Sequence, residues 1–148
     1  MEIIRNKKAF FDYEILERFE AGMVLYGYEV KAVRNKKIDL KGSYVSLHRG
    51  EAWLENVHIG PYQPKNQPAE TMENPKRKRK LLLNKKEIDT LQNQAEVAGN
   101  TIIPLRVFVK NHRLKVEIGI GRGKKKYDKR ETIKKRELDR SLRRHYKN

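Results

Sequence analysis

The chain is 148 residues long, with 35 Lys or Arg against 19 Asp or Glu, a formal net charge of +16 and no cysteine. That length holds one domain and a tail, the missing thiols exclude disulfides and thiolate metal sites, and no apolar run approaches the ~18–20 residues of a membrane span. So one-sided a charge selects a polyanion as partner, nucleic acid ahead of a membrane surface.

The N-terminal MEIIRNKKAFFDY has no signal-peptide core, so a soluble, cytoplasmic protein is expected. It contains the first basic cluster, Arg5 to Lys8, beside Phe10, Phe11 and Tyr13. Phe11, Tyr13, Ile15 and Phe19 share one parity, with Glu17 the single interruption, which predicts a strand closed by Ala21-Gly22. Met23 to Arg34 fits either period, and Tyr26, Val30 and Val33 at i, i+4, i+7 favour a short helix. Tyr44 to Leu47 and Ala52 to Ile59 flank His48-Arg49-Gly50-Glu51, which predicts a hairpin.

Four of the five prolines then fall between Pro61 and Pro75, a stretch expected to be a long irregular loop. It ends in five consecutive cations, Lys76-Arg77-Lys78-Arg79-Lys80, followed by Leu81-Leu82-Leu83, read as a short strand. Asn84-Lys85-Lys86-Glu87 is spaced as a capping box, and Ile88, Leu91, Ala95 and Ala98 predict a helix that Gly99-Asn100 stops. Ile103 to Lys110 and Leu114 to Ile120 alternate as two strands about Asn111-His112, and Pro104 places its strand's start there or at an edge. Several short antiparallel strands with inserted helices in about 120 residues suggest a small β-barrel of the oligonucleotide-binding type.

The last 27 residues hold 13 Lys or Arg against four Asp or Glu, leaving 22 against 15 in residues 1–121. Such a tail buries too little apolar surface to order itself alone. It is nonetheless patterned for a helix: Asp128 to Glu131 has capping-box spacing, Glu131–Lys135 and Asp139–Arg143 are i,i+4 pairs, and Leu138, Leu142 and Tyr146 form a thin stripe. A helix of this kind needs a partner. Gly119-Ile120-Gly121-Arg122-Gly123 lacks the spacing of a phosphate-binding loop and reads as a flexible hinge into the tail. The four histidines are scattered, so no metal site or cofactor is expected, and no catalytic constellation emerges. Any one basic cluster is by itself a solvated face; three of them with neighbouring aromatic residues point to RNA, cations for phosphates and rings for unpaired bases.

Ordered blocks along the whole chain carry a family resemblance. They include Asn6-Lys7-Lys8-Ala9, Phe19-Glu20-Ala21-Gly22, Gly27-Tyr28-Glu29-Val30-Lys31, His58-Ile59-Gly60-Pro61-Tyr62, Arg79-Lys80-Leu81-Leu82-Leu83-Asn84 and Gly123-Lys124-Lys125-Lys126-Tyr127-Asp128-Lys129-Arg130-Glu131. The chain resembles the bacterial SsrA-binding protein (small protein B) family. The resemblance implies a mainly β protein: an oligonucleotide-binding-like antiparallel β-barrel over residues 1–121 with two or three accessory helices, and a basic tail over 122–148, disordered alone and helical on the ribosome. It implies a non-enzymatic adaptor that binds the tRNA-like domain of transfer-messenger RNA and brings it to stalled ribosomes for trans-translation. Its tail would occupy the decoding centre and the empty mRNA channel. Residues matching the family's RNA-binding surface are Asn6, Glu20 and Leu82, with Lys7, Lys8, Lys31, Arg79 and Lys80 as phosphate neighbours. In the tail the matching positions are Lys124, Lys125, Lys126, Tyr127, Asp128, Lys129, Arg130, Ile133 and Lys134, with Tyr127 where the family often has a stacking His. A general RNA-binding or ribosomal protein, or a nuclease, would be the competing classes.

Overall fold

The structure, a computed structural model, describes residues 1–61, 74–124, 133–134 and 136–138. Among the described residues the elements run β1 (Glu2–Arg5), α1 (Lys7–Asp12), β2 (Tyr13–Met23), α2 (Gly27–Arg34), β3 (Ile38–Asp39), β4 (Tyr44–His48), β5 (Glu51–Glu55), β6 (His58–Ile59), β7 (Arg79–Leu82), α3 (Lys85–Ala95), β8 (Asn100–Lys110) and β9 (Arg113–Gly123). Seven strands form one antiparallel sheet in the order β1-β8-β9-β2-β7-β5-β4, and β3 pairs with β6 beside it. The sheet curls until β4 packs against β8, enclosing a core that includes Ala21, Leu54, Leu81, Val107, Val116 and Ile118. This is the expected oligonucleotide-binding-like architecture. The proline-rich stretch lies largely outside the described residues, as do residues 125–132 of the tail.

Several elements differ from the sequence expectation for identifiable reasons. Phe11 belongs to α1, not to a strand: Asn6 accepts the Ala9 backbone N–H on its side chain (3.2 Å) and starts a six-residue helix that ends at Asp12. The lapse of parity at Glu17 is a β-bulge, since Ile15 opposes Gly121 and Glu17 opposes Ile120, which leaves Leu16 as the extra residue. Ala21-Gly22 does not close β2; the strand continues to Met23 and changes neighbours, so that Gly22 faces Leu82 of β7.

The glycine run is not a hinge. Gly119 and Gly121 lie inside β9, paired to Arg18 and Ile15. A Cβ on Gly119 would sit 2.8 Å from Leu105 Cδ1, and one on Gly121 would sit 3.0 Å from Tyr13 Cβ. These glycines let a second small cluster of Ala9, Ile103 and Leu105 pack flush against the ladder, with Phe10, Tyr13 and Ile15 covering it.

Pro104 is interior to β8, which begins at Asn100. It is tolerated because β1 covers β8 only from Arg106 to Phe108, and the pairing with β9 bulges between Pro104 and Arg106. The hairpin turn shortens to Arg49-Gly50, both at positive φ (51° and 73°), the two-residue geometry that matches strand twist. The second arm of the hairpin, read as Ala52 to Ile59, breaks at Asn56 (φ 61°): β5 ends at Glu55, and His58–Ile59 form β6, which pairs with β3 outside the main sheet. β1 and β3 carried no distinct periodic signal; two to four residues are too few for one.

Candidate nucleic-acid interface

The five-cation run does not present five charges to solvent. As the chain enters β7 its side chains alternate, with Lys76, Lys78 and Lys80 turned outward and Arg77 and Arg79 turned inward. Both arginines meet Glu29 of α2, whose side chain is 1% exposed. Arg79, fully buried, donates Nε (2.9 Å) and Nη2 (2.6 Å) to one Glu29 oxygen, Nη1 to the Val57 carbonyl (2.5 Å) and Nη2 again to the Pro75 carbonyl (2.9 Å). Arg77 donates to the other Glu29 oxygen, which also accepts the Tyr26 N–H at 2.9 Å. Burial by itself would raise the Glu29 pKa. The hydrogen bonds from Arg77, the Tyr26 N–H and Arg79, with the charge of Arg79, outweigh it and hold the carboxyl below its ordinary value. Arg79 is therefore not a phosphate neighbour: it has no exposed surface and four of its five N–H donors are engaged inside the protein. The planar fork of arginine suits this bidentate interior role, and lysine the outward one.

The residues expected to bind RNA fall at two ends of the barrel. At one end β7 meets β2, and the side chains of Met23, Leu25, Val30, Leu82 and Leu114 line a groove of about 340 Å³. Arg34, Arg113 and Lys115 edge it. Arg34 Nη2 donates to the His112 carbonyl at 3.0 Å, tying α2 to the β8–β9 turn and fixing the groove's width. Leu82 is 55% exposed, a large apolar side chain held in water. Glu20 stands on β2 two residues before Gly22 and meets Lys110 Nζ at 3.2 Å. Lys31 lies on the exposed side of α2, one turn before Arg34, and Lys80 pairs with Glu51 at 3.2 Å. An apolar floor with a cationic rim can take a base face on the floor and phosphates on the rim.

At the other end stand α1 and the root of the tail. Asn6 is buried, donating Nδ2 to the Pro104 carbonyl (2.9 Å) while its Oδ1 caps α1. Its polar atoms are engaged inside the protein, so its part is to aim α1, whose first residues Lys7 and Lys8 are exposed. Phe10, expected as a stacking ring, carries the Arg5 and Arg18 guanidinium groups 4.8 and 5.5 Å from its centroid. Gly123 opposes Tyr13, and Lys124 is tied back to α1, its N–H to the Asp12 carbonyl (2.9 Å) and its Nζ to the Phe10 carbonyl (3.1 Å). From Tyr13 to Gly22, β2 spans nine steps of ~3.3 Å, so the tail's root stands about 30 Å from the groove.

Of the tail residues singled out in the sequence, Lys125, Lys126, Tyr127, Asp128, Lys129 and Arg130 lie outside the described residues. Ile133 and Lys134 are helical and exposed. Sequence reasoning missed Arg34, Arg113 and Lys115. The usable signal was the positive-φ turn at Asn111-His112 (51° and 63°), which sets Arg113 and Lys115 at a strand start beside the groove. Among the described residues no three His, Asp or Glu side chains gather as metal ligands do.

The family model for "SmpB protein" matches residues 3–148 of the chain. An SsrA-binding protein of Latilactobacillus sakei subsp. sakei (strain 23K) is 53% identical over 140 residues, 95% of this chain and 88% of that one. One of Sulfurihydrogenibium sp. (strain YO3AOP1) is 49% identical over 145 residues, 98% of this chain and 93% of that one. Among solved structures, a chain described under "tmRNA-SmpB: a journey to the center of the bacterial ribosome" superposes with a TM-score of 0.69 at 39% identity, covering 90% of this chain and 95% of that one.

Proposed function

Because the chain belongs to the SmpB protein family, we propose that it is a non-enzymatic RNA-binding adaptor of the bacterial cytoplasm. It binds the tRNA-like domain of transfer-messenger RNA and delivers it to stalled ribosomes in trans-translation. The observation that supports this best is the groove between β2, α2 and β7, apolar on its floor and edged by Arg34, Arg113 and Lys115. It offers positioning and no chemistry. A splayed base lies on Leu82 and its apolar neighbours, the rim neutralises the flanking phosphates, and Glu20 exchanges Lys110 for a base or 2′-hydroxyl donor. Lys31 and Lys80 extend the cationic rim, while Asn6, by capping α1, positions Lys7 and Lys8 at the far end.

The tail is assigned the ribosome: Lys124 to Arg130, with Ile133 and Lys134, occupy the decoding centre and the empty mRNA channel, and Tyr127 supplies a stacking ring that carries no charge. The proposed boundary between barrel and tail, first read at 121/122, moves to 124/125, since β9 runs to Gly123 and Lys124 is bonded to α1.

The test is binding to a tRNA-like fragment of transfer-messenger RNA and to a duplex RNA of equal charge across a salt series. The fragment's advantage should persist as salt rises, because base and shape contacts release no counterions. Parallel curves would leave a general RNA-binding or ribosomal protein.

A further inference from the structure

Two outward lysines of the basic run, Lys76 and Lys78, lie beyond the rim of the groove, before and at the entry to β7. On the outer face of the β4–β5–β7 sheet, Trp53 lies opposite Ser46 on one side and Lys80 on the other. Lys78 Nζ stands 4.7 Å from the Trp53 ring centroid. Tyr44, 45% exposed, points out of the same face of β4; its cross-strand partner is Glu55, so it is the diagonal neighbour of Trp53, their backbones ~7–8 Å apart. Lys78 and Lys80, two residues apart at the entry to β7, point to one face, ~6.6 Å apart in extended chain, roughly one nucleotide of a stretched strand, and Lys76 precedes them in the turn closed by the Arg77 N–H on the Asn74 carbonyl. Both arginines that might have broken this row are withdrawn to Glu29.

We propose that this face, built from Trp53, Tyr44, Lys76 and Lys78, is a second RNA site that takes an unpaired strand, bases on the rings and phosphates along the lysines. Rings interleaved with cations form the platform on which single-stranded nucleic acid is held without sequence preference. A duplex is excluded because its base faces are buried in the stack. Two carboxylates share the surface, Glu51 bound to Lys80 and Glu55 beside Tyr44. They keep phosphates off β5 and confine the backbone to the Lys76–Lys78 edge. Leu82 follows Lys80 on the same face of β7, so the site adjoins the groove, but its rings and lysines are not among the groove's lining residues and it does not depend on which folded RNA the groove accepts.

Trp53 is the only tryptophan of the chain, so its emission reports this face alone. The full chain is titrated with an eight-nucleotide oligouridylate and with a duplex of the same charge. Saturable quenching by the unpaired strand, and little by the duplex, is expected. Lys76→Gln and Lys78→Gln should each reduce the slope of log K against log salt by about 0.7, while Leu82→Ala leaves the titration unchanged. By anisotropy of a labelled strand, Trp53→Phe should bind as the parent does and Trp53→Ala several-fold more weakly. Equal quenching by duplex, or an unchanged salt slope in Lys76→Gln, a substitution at an exposed site, would make the lysine row a solvated face and overturn the proposal. Lost binding in Leu82→Ala would merge it with the groove and overturn it equally.

Discussion

Replacing Glu29 by Gln tests whether one buried carboxylate holds β7 and α2 in place. The glutamate accepts from Arg77, from Arg79 through two nitrogens at 2.9 and 2.6 Å, and from the Tyr26 N–H. Glutamine keeps the shape but leaves two guanidinium groups, one of them fully buried, without a counter-charge, and turns an amide N–H₂ toward donors. Removing one partner of a buried pair typically costs about 3–5 kcal/mol, a large part of the roughly 5–15 kcal/mol that holds a domain folded. With a urea m-value of ~1–3 kcal/mol/M, the unfolding midpoint at pH 7 should fall by about 2 M. The pH dependence carries the sharper test. Glu29 has a folded-state pKa below that of an unfolded glutamate, so its stabilisation is complete above about pH 4.3 and is lost as pH falls through the folded value. The parent should therefore lose stability more steeply than Glu29→Gln below that pH, and the gap between their midpoints should narrow. A gap that stays constant to pH 3 would refute the account of a charged Glu29 in the folded protein.

Three further outcomes follow from the same geometry. Gly119→Ala places a methyl 2.8 Å from Leu105 Cδ1 and 3.1 Å from Ile15 Cγ2, and should lower stability by about 1–3 kcal/mol in urea titrations, whereas Gly123→Ala, with nothing within 4 Å, should be silent. Leu82→Ala should leave the melting temperature within a degree or two, its side chain being exposed, yet weaken binding of the tRNA-like fragment on the order of tenfold in a filter or anisotropy assay. A chain ending at Lys124 should bind that fragment within a few fold of full length and fail to support tagging on stalled ribosomes; equal loss of both would show that the tail, not the groove, holds the RNA.

The strands that pair over long stretches were legible because alternation over seven or eight residues, broken only by the bulge at Leu16, leaves little else to read: β8, β9 and most of β2 follow from Ile103 to Ile120 and from Tyr13 to Phe19. The helix of Lys85–Ala95 was legible from its cap, where Asn84 and Glu87 exchange side-chain bonds with each other's backbone. What escaped was set by partners distant in sequence. Nothing local distinguishes Arg79 from Lys78; only the strand's parity and a carboxylate 50 residues away decide which is interior. The glycines of β9 read as a hinge because the residues that crowd them, Leu105, Ile103, Ile15 and Tyr13, come from two other strands. The groove was half legible, since Leu82 was named from family blocks while Arg34, Arg113 and Lys115 join it only through the fold, Arg34 by its bond to the β8–β9 turn.

An adaptor without chemistry must work through distance, and β2 paired with β9 is the part of this fold that sets it. The groove hangs from one end of that ladder, through Gly22 opposite Leu82 and Lys115, and the tail leaves from the other, through Gly123 opposite Tyr13. Two long strands joined by cross-strand hydrogen bonds bend far less than any loop, so in the proposed assignment an RNA seated at Leu82 fixes where Lys124 begins the tail. The bond from Lys124 N–H to the Asp12 carbonyl removes the last free torsions before that point. If the tail sprang from a glycine hinge, as the sequence suggested, its root would wander by several residues' length and the seated RNA would say little about where the tail enters. The packing of Tyr13 and Ile15 against Gly121 and Gly119 stiffens the end of β9, and in the proposed division of labour that stiffness is what sets the distance between the RNA in the groove and the entry of the tail.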